Sequence, residues 1–551
     1  MADPPLSRPR LCLALTLPGA VSLGAYHGGA MAALLTAARE SDGQIIIDAL
    51  ATASAGSLTG VLAARSLLRG ADPVALMVKA WVEADSLTAL RSNGTESVLD
   101  PAPLRELAAD LMSPRGSVPD GDATAARQVI PVRISMALAS LGGLAYRVPS
   151  LDEDQPWFNA LTHLDWWNHT FGPDDGDDGF IPAIAPALAS AANALGFPPV
   201  RLDRSADRAT YEANHVVAPP IRPGRPPEDQ WALWYTDGGT LDDEPFGRAL
   251  RLVAEAEADP ATHTRDLDER LFVLVEPEPA AVDFNGRWWN PDTEPRWTFT
   301  LFDVFNLRGE QSIYDDLRRL EKTNTRLRWA EEATTALTQA LTEALDAVEP
   351  DGRAAVEVAI RGRLGAALEA MDQDRRTLSA RGDGNPSPAT ADDNAGAPSD
   401  VVPPNASYAD LVGQIVRHTG GLRGKREARV EMVSPLIDGD SPPVSDRLAG
   451  DFLFHFGGFV DEEFRRHDFL VGWSNMRTWL GQHAAEYGFA RALDEVDRRR
   501  DQLGWTLGDL DPSIGSLSVS QKLNLARAAG HVGRVIAHDL ADLLGHDDED
   551  K

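Results

Sequence analysis

The sequence predicts an α/β fold: a three-layer α/β/α domain with a mostly parallel central sheet, followed by a mostly helical C-terminal region. Three observations carry this. Two short apolar runs near the start, the second of them β-branched, each lead through a small-residue turn into a stretch of helical period, the alternation of a parallel sheet covered by helices. Two later apolar runs, one ending in Asp237-Gly238-Gly239 and one in Glu276-Pro277-Glu278-Pro279, extend that sheet. From about residue 311 the chain turns to Ala, Leu, Glu and Arg at helical spacing.

In order, residues 11–17 are a buried strand closed by Pro18-Gly19, and 25–39 a helix of good helix formers. Residues 44–51 (QIIIDALA) are a second strand, followed by a helix through Leu58, Val61, Leu62 and Leu67. A Gly-, Pro- and Asp-rich loop covers 113–124, and 129–148 hold strand-like runs. Residues 151–180, acidic and bearing Trp157, Trp166 and Trp167, read as an excursion from the sheet. Residues 113–180 are thus an insertion within a first domain spanning 1–280. Residues 185–195 are expected to be helical, 231–236 a strand, and 271–275 (LFVLV) the last buried strand. A helical extension follows at 281–380. The Pro/Gly/Asp/Ala-rich 381–406 lacks the apolar surface to offset its ordering entropy and is expected to be a disordered linker or long loop. A helical C-terminal region, 407–551, contains an aromatic block at 452–479 and amphipathic helices near 475–503 and 518–544.

Composition narrows the function. The 551 residues include 84 acidic and 52 basic side chains, a net charge of −32, which opposes binding to nucleic acid or to an anionic bilayer through a broad basic face. A single cysteine, Cys12, rules out an intrachain disulfide and Cys-based metal clusters. Arg8 and Arg10 ahead of the apolar 11–38 imitate a signal peptide, but Pro18, Gly19, Gly24, His27, Gly28 and Gly29 interrupt it. The expected location is cytoplasmic, with transient peripheral contact at a membrane surface as the nearest membrane role. The pattern implies no particular oligomeric state.

Three separated pieces carry chemistry. The first, Pro18-Gly19-Ala20-Val21-Ser22-Leu23-Gly24, is a loop whose backbone N–H groups are free to meet an oxyanion. The second, Thr52-Ala53-Ser54-Ala55-Gly56, is a strand-to-helix turn of small residues that projects a serine Oγ at a helix N-terminus. The third sets Asp237 on a glycine-rich bend after a strand. Each alone also fits a plain role: a tight turn, an N-cap, an Asp-Gly turn.

Together and in this order they resemble the patatin-like phospholipase family. In that family a glycine-rich oxyanion loop is followed by a G-x-S-x-G elbow and then a D-G-G/A aspartate. The resemblance implies a Ser–Asp dyad without histidine, with Ser54 as nucleophile and Asp237 as base. The amides around Gly19, Ala20 and Val21 would be the oxyanion donors, and Gly24, Ala55, Gly56, Gly238 and Gly239 would support loop, elbow and motif. Residues 185–201 are similar to the family's helix and Phe-Pro turn, and 235–245 (YTDGGTLDDEP) to D-G-G-x-x-x-N-x-P. The loop wording is similar to a bacterial subgroup with G-G-V-S-L and a long C-terminal extension, as are 312–324 and 448–472. The catalytic resemblance covers roughly residues 9–280. This chain departs from the pattern at Ala20, Leu23 and Thr52. Asp242 and Asp243 stand where Asn is common, and two added carboxylates are expected to raise the dyad's pKa.

The implied activity is that of a phospholipase A or lysophospholipase-type lipid acyl hydrolase, needing no metal or organic cofactor. A soluble esterase or thioesterase, and a catalytically weak patatin-fold module that binds a partner or membrane, remain the alternatives. Elsewhere, His27 reads as a helix-surface histidine, the 452–469 aromatics as core, and Trp157, Trp166 and Trp167 as candidates for a lid. The basic stretch Arg417, Arg423, Lys425, Arg426, Arg429 reads as a solvated face.

Overall fold

The computed structural model describes residues 9–83, 97–121, 127–149, 157–176, 178–194, 196–213, 216–219, 230–258, 268–279, 297–380, 406–422, 427–436, 448–450, 455–507, 510 and 517–546. The expected linker at 381–406 lies outside them, apart from Ala406.

Strand β1 (Arg10–Leu17) passes through a 3-10 turn (Val21–Leu23) into α1 (Gly24–Glu40). Strand β2 (Ile45–Thr52) leads into α2 (Ala55–Arg69), α3 (Pro73–Val78) and α4 (Ala102–Met112). Two long strands follow, β3 (Val132–Pro149) and β4 (Trp157–Phe171), then α5 (Ile184–Ser190), β5 (Val200–Asp203) and α6 (Arg208–Ala213). Next come β6 (Ala232–Asp237), α7 (Phe246–Ala258) and β7 (Asp268–Val275). The remainder is α8 (Trp297–Asp346), α9 (Pro350–Ala380), α10 (Tyr408–Thr419), β8 (Val430–Val433), α11 (Glu462–Tyr487), α12 (Ala490–Gln502) and α13 (Val519–His546).

The strands form one mixed sheet in the order β5-β6-β3-β2-β1-β7-β8, with β4 also paired to β3. Its centre is parallel: β1 with β2 and β7, β2 with β3, and β7 with β8. The antiparallel pairs β3–β4, β3–β6 and β5–β6 lie to one side. Strands β1 and β2 are buried almost end to end because helices cover both faces, which is why they read as continuous apolar runs. Leu11, Leu13, Leu15 and Leu17 pack with α1, α2 and α11; Ala14, Ala49 and Ala51 pack on the other face with Phe246, Ala249 and Leu252 of α7.

Helix α11 crosses α1 at backbone contact. A Cβ on Gly29 would lie 1.8 Å from the Phe469 carbonyl oxygen, and one on Gly472 would lie 2.1 Å from that of Tyr26. Glycines on both sides allow the crossing, and Phe469, Trp473 and Trp479 fill the core around it. The 11–38 stretch is thus β1, a loop and α1 inside this core; no helix among the described residues is long and apolar enough to cross a membrane.

Four expectations are corrected. Residues 157–171 are not an excursion but a strand along the whole of β3. Their polar side chains are satisfied internally: Asp165 Oδ2 accepts from Arg204, Tyr211 and Tyr235, and Asn168 Oδ1 accepts from Ser135 and Arg248. The helix expected at 185–195 stops at Ser190, because the Ala192 carbonyl is taken by the Asp237 N–H and the Thr236 hydroxyl. The LFVLV strand is not the last, since β8 joins beside it. The helix expected at 475–503 begins at Glu462 and breaks at Gly488, whose φ of +79° closes α11 before α12 starts.

Candidate active site

The site forms where two strands end on one edge of β3. Strand β4 occupies the other edge of β3 along its length. On the free edge, β2 runs parallel up to Thr52 opposite Met136, and β6 runs antiparallel up to Asp237 opposite Leu138. The two C-terminal ends therefore meet head-on at Ala137. A Cβ on Gly238 would lie 2.0 Å from the Ala137 carbonyl oxygen, so only glycine lets the chain turn there.

Ser54 sits between β2 and α2 with φ +48° and ψ −126°, outside the regions open to ordinary L-residues. Three contacts hold it. The Ala53 N–H donates to the Leu17 carbonyl at 3.0 Å, and the Ser54 N–H donates to Ser190 Oγ at 3.0 Å. Gly56 lies against β1 so closely that a Cβ would be 2.2 Å from the Leu17 oxygen. Ala55 opens α2, whose N-terminal amides point toward the elbow. Thr52, where glycine was expected, ends β2 in the core; its hydroxyl lies 3.0 Å from Ser57 Oγ, and Gly60 leaves room for its methyl.

The Ser54 hydroxyl donates to Asp237 Oδ2 at 2.9 Å. Asp237 Oδ1 accepts the Gly239 N–H at 2.9 Å, and Asn193 donates to the same carboxylate. Burial pushes the Asp237 pKa up to about 6, against the pull of these three donors. The added carboxylates act elsewhere than expected: Asp243 is the group raised further, by burial first and then by Glu244, Asp237 and Glu278.

The loop after β1 corrects one expectation. The Gly19 N–H is not open but donates to Asp243 Oδ1 at 3.1 Å, with the Asp243 carbonyl at 3.3 Å. The amides of Ala20 and Val21 have no acceptor among the described residues. Val21 has φ +44° and begins the 3-10 turn, and Gly24 opens α1 against the Trp81 ring. The loop is anchored from far along the chain. The Ser22 N–H donates to the His455 carbonyl at 3.0 Å, Ser22 Oγ donates to the same oxygen, and the Gly458 N–H donates to Ser22 Oγ at 3.0 Å.

His27 is not on a helix surface but fully buried, with Nε2 3.1 Å from the Val275 carbonyl; burial lowers its pKa to about 4. Trp166 is no lid: it packs with Ala53 and Ala137 under the elbow, with the Arg248 guanidinium 4.6 Å from its ring centre. The side chain of Trp157 lies outside the described residues. In the basic stretch, Arg417 pairs with Glu331, and Arg429 with Glu269 and Glu431; 423–426 lie outside the described residues. Sequence reasoning missed Ser190, Asn193, Ser22 and His455. Only the run of small residues around Ser190 carried a local signal.

Residues 15–250 match the family model described as patatin-like phospholipase. No curated protein matches the sequence.

Proposed function

We propose that this chain, which carries a patatin-like phospholipase domain over residues 15–250, is a lipid acyl hydrolase of phospholipase A or lysophospholipase type working through Ser54 and Asp237. The observation that carries the reading is the 2.9 Å hydrogen bond from Ser54 Oγ to Asp237 Oδ2, set on a strained elbow. With its pKa near 6, Asp237 is ionised at neutral pH and close to the ideal for a general base.

In acylation the Ser54 proton passes to Asp237 Oδ2 as Oγ bonds to the ester carbonyl carbon, and the π pair moves to oxygen. The Ala20 and Val21 amides and the N-terminus of α2 receive that oxyanion; one such donor is worth roughly 3–4 kcal/mol. On collapse the bond to the alcohol breaks, and the leaving alkoxide takes the proton from Asp237. Water then gives a proton to Asp237 as its oxygen attacks the acyl-enzyme. Collapse of the second adduct returns that proton to Ser54 Oγ and releases the fatty acid.

The test pairs fluorophosphonate labelling with ester hydrolysis for wild type, Ser54→Ala and Asp237→Asn at equal folded concentration. Labelled, active wild type beside two inert variants supports the dyad. An unlabelled wild type no faster than its variants refutes it. Preference for long acyl chains, and a jump in rate on micelles, separate a lipase from a soluble esterase.

A further inference from the structure

A second carboxyl group stands beside the dyad, and the steps above leave it unused. Its position follows from two glycines. A Cβ on Gly239 would lie 2.3 Å from Asp243 Oδ1 and 3.3 Å from Asp237 Oδ1. A Cβ on Gly19 would lie 2.2 Å from Asp243 Oδ1 and 3.2 Å from Ser54 Cβ. The Asp243 oxygen thus lies in a slot between the oxyanion loop and the aspartate bend, less than about 6 Å from both the Asp237 carboxylate and Ser54, near enough for strong coupling between the two carboxyls.

Two carboxylates so close and so buried cannot both carry charge. The hydrogen bonds decide which one does. Asp237 receives three donors, from Ser54, Gly239 and Asn193, each favouring its anion. The Asp243 carboxylate receives one, the Gly19 N–H. The charged groups acting on Asp243 are Asp237 at the end of β6, Glu244 beside it, and Glu278 after β7, all acidic. Asp243 in turn acts on Glu276, also after β7, which is raised to about 8 with burial the first cause, and His455 lies against Glu278.

We propose that Asp243 works as an uncharged carboxyl group that positions the oxyanion loop: its carbonyl oxygen holds the Gly19 N–H, and its proton keeps a second negative charge away from the developing oxyanion. The inference rests on the hydrolase reading and assigns Asp243 a positioning role within it. Ionisation of Asp243 as the pH rises puts a charge beside that oxyanion and slows turnover.

The experiment compares wild type, Asp243→Asn and Asp243→Ala in two readouts. The first is kcat/KM on a neutral ester from about pH 5 to 10. Wild type is expected to show an alkaline limb that Asp243→Asn moves upward or abolishes. Asp243→Ala is expected to lose about 10- to 100-fold in kcat, most of it recovered by Asp243→Asn. An identical alkaline limb in wild type and Asp243→Asn, or Asp243→Ala with wild-type kcat, overturns the proposal.

The second readout is melting temperature against pH and needs no activity. A carboxyl whose folded pKa is raised gives its full stabilisation below its unfolded value of about 4 and loses it as pH rises toward the folded value. Wild type should therefore lose stability with rising pH by one proton more than Asp243→Asn does. Equal slopes overturn the proposal. If wild type neither reacts with the fluorophosphonate nor turns over, the hydrolase reading fails, and the melting comparison alone decides the protonation of Asp243.

Discussion

Ser190→Ala is the substitution whose consequences the structure defines best. Ser190 is the last residue of α5 and is fully buried. Its hydroxyl donates to the Ala137 carbonyl at 2.7 Å, accepts the Ser54 N–H at 3.0 Å and lies 2.9 Å from Ser57 Oγ. Removing it strands the Ser54 amide and the Ala137 carbonyl, while Ser57 keeps Thr52 as a partner. At about 1–3 kcal/mol for each stranded buried group, the fold should lose about 2–6 kcal/mol. The effect on catalysis follows from the elbow. The Ser54 conformation costs about 1–3 kcal/mol to hold, and the bond to Ser190 opposes its relaxation. A displacement of Oγ by about 1 Å costs roughly a hundredfold in rate. Urea unfolding followed by tryptophan fluorescence, with initial rates normalised by fluorophosphonate titration, should give the stability loss together with a 10- to 100-fold lower kcat and little change in KM, the pattern of a transition-state contact. Wild-type kcat with less than about 1 kcal/mol lost would refute the reasoning. The close fit of Gly56 against Leu17 would then be enough to hold the elbow.

Two further outcomes are expected. Because Asp237 must be ionised to accept the serine proton, kcat/KM should rise about tenfold per pH unit up to about pH 6 and level off above it. A limb near 4, the ordinary carboxylate value, would show that burial does not raise Asp237 in this way. Gly29→Ala forces a methyl into the Phe469 carbonyl and should cost about 3 kcal/mol or more, seen as a lower melting temperature, whereas Gly365→Ala on α9, with nothing near its Cβ, should gain about 0.5–1 kcal/mol.

What could be read from the chain alone divides by the range of the interactions involved. Strands β1 and β2 were legible because both faces of a parallel strand are buried, leaving unbroken apolar runs. Ser54 and Asp237 were legible because a sharp turn at a strand end demands small neighbours, and those neighbours adjoin them in sequence. Strand β4 was misread because its polar residues are satisfied by Arg204, Tyr211, Tyr235 and Arg248, partners distant in sequence. Strand β8 has four residues and no pattern of its own. The bonds that tune the site join residues 136, 224 and 433 positions apart, Ser54 to Ser190, Gly19 to Asp243 and Ser22 to His455. No local window contains such a pair.

The tie between Ser22 and the 455–458 segment bears on how the protein comes into being. Synthesis delivers Ser54 and Asp237 early, and β2 and β6 can meet on β3 while the ribosome is still at work. The oxyanion loop then lacks its anchor, β7 has an open edge, and α1 lacks the helix that crosses it. The parts completing these three places, β8, the 455–458 segment and α11, lie far downstream of Asp237 in the chain. A nascent chain therefore carries Ser54 and Asp237 before the 18–24 loop has its anchor. The geometry of the 18–24 loop is therefore set by a segment made more than two hundred residues after Asp237.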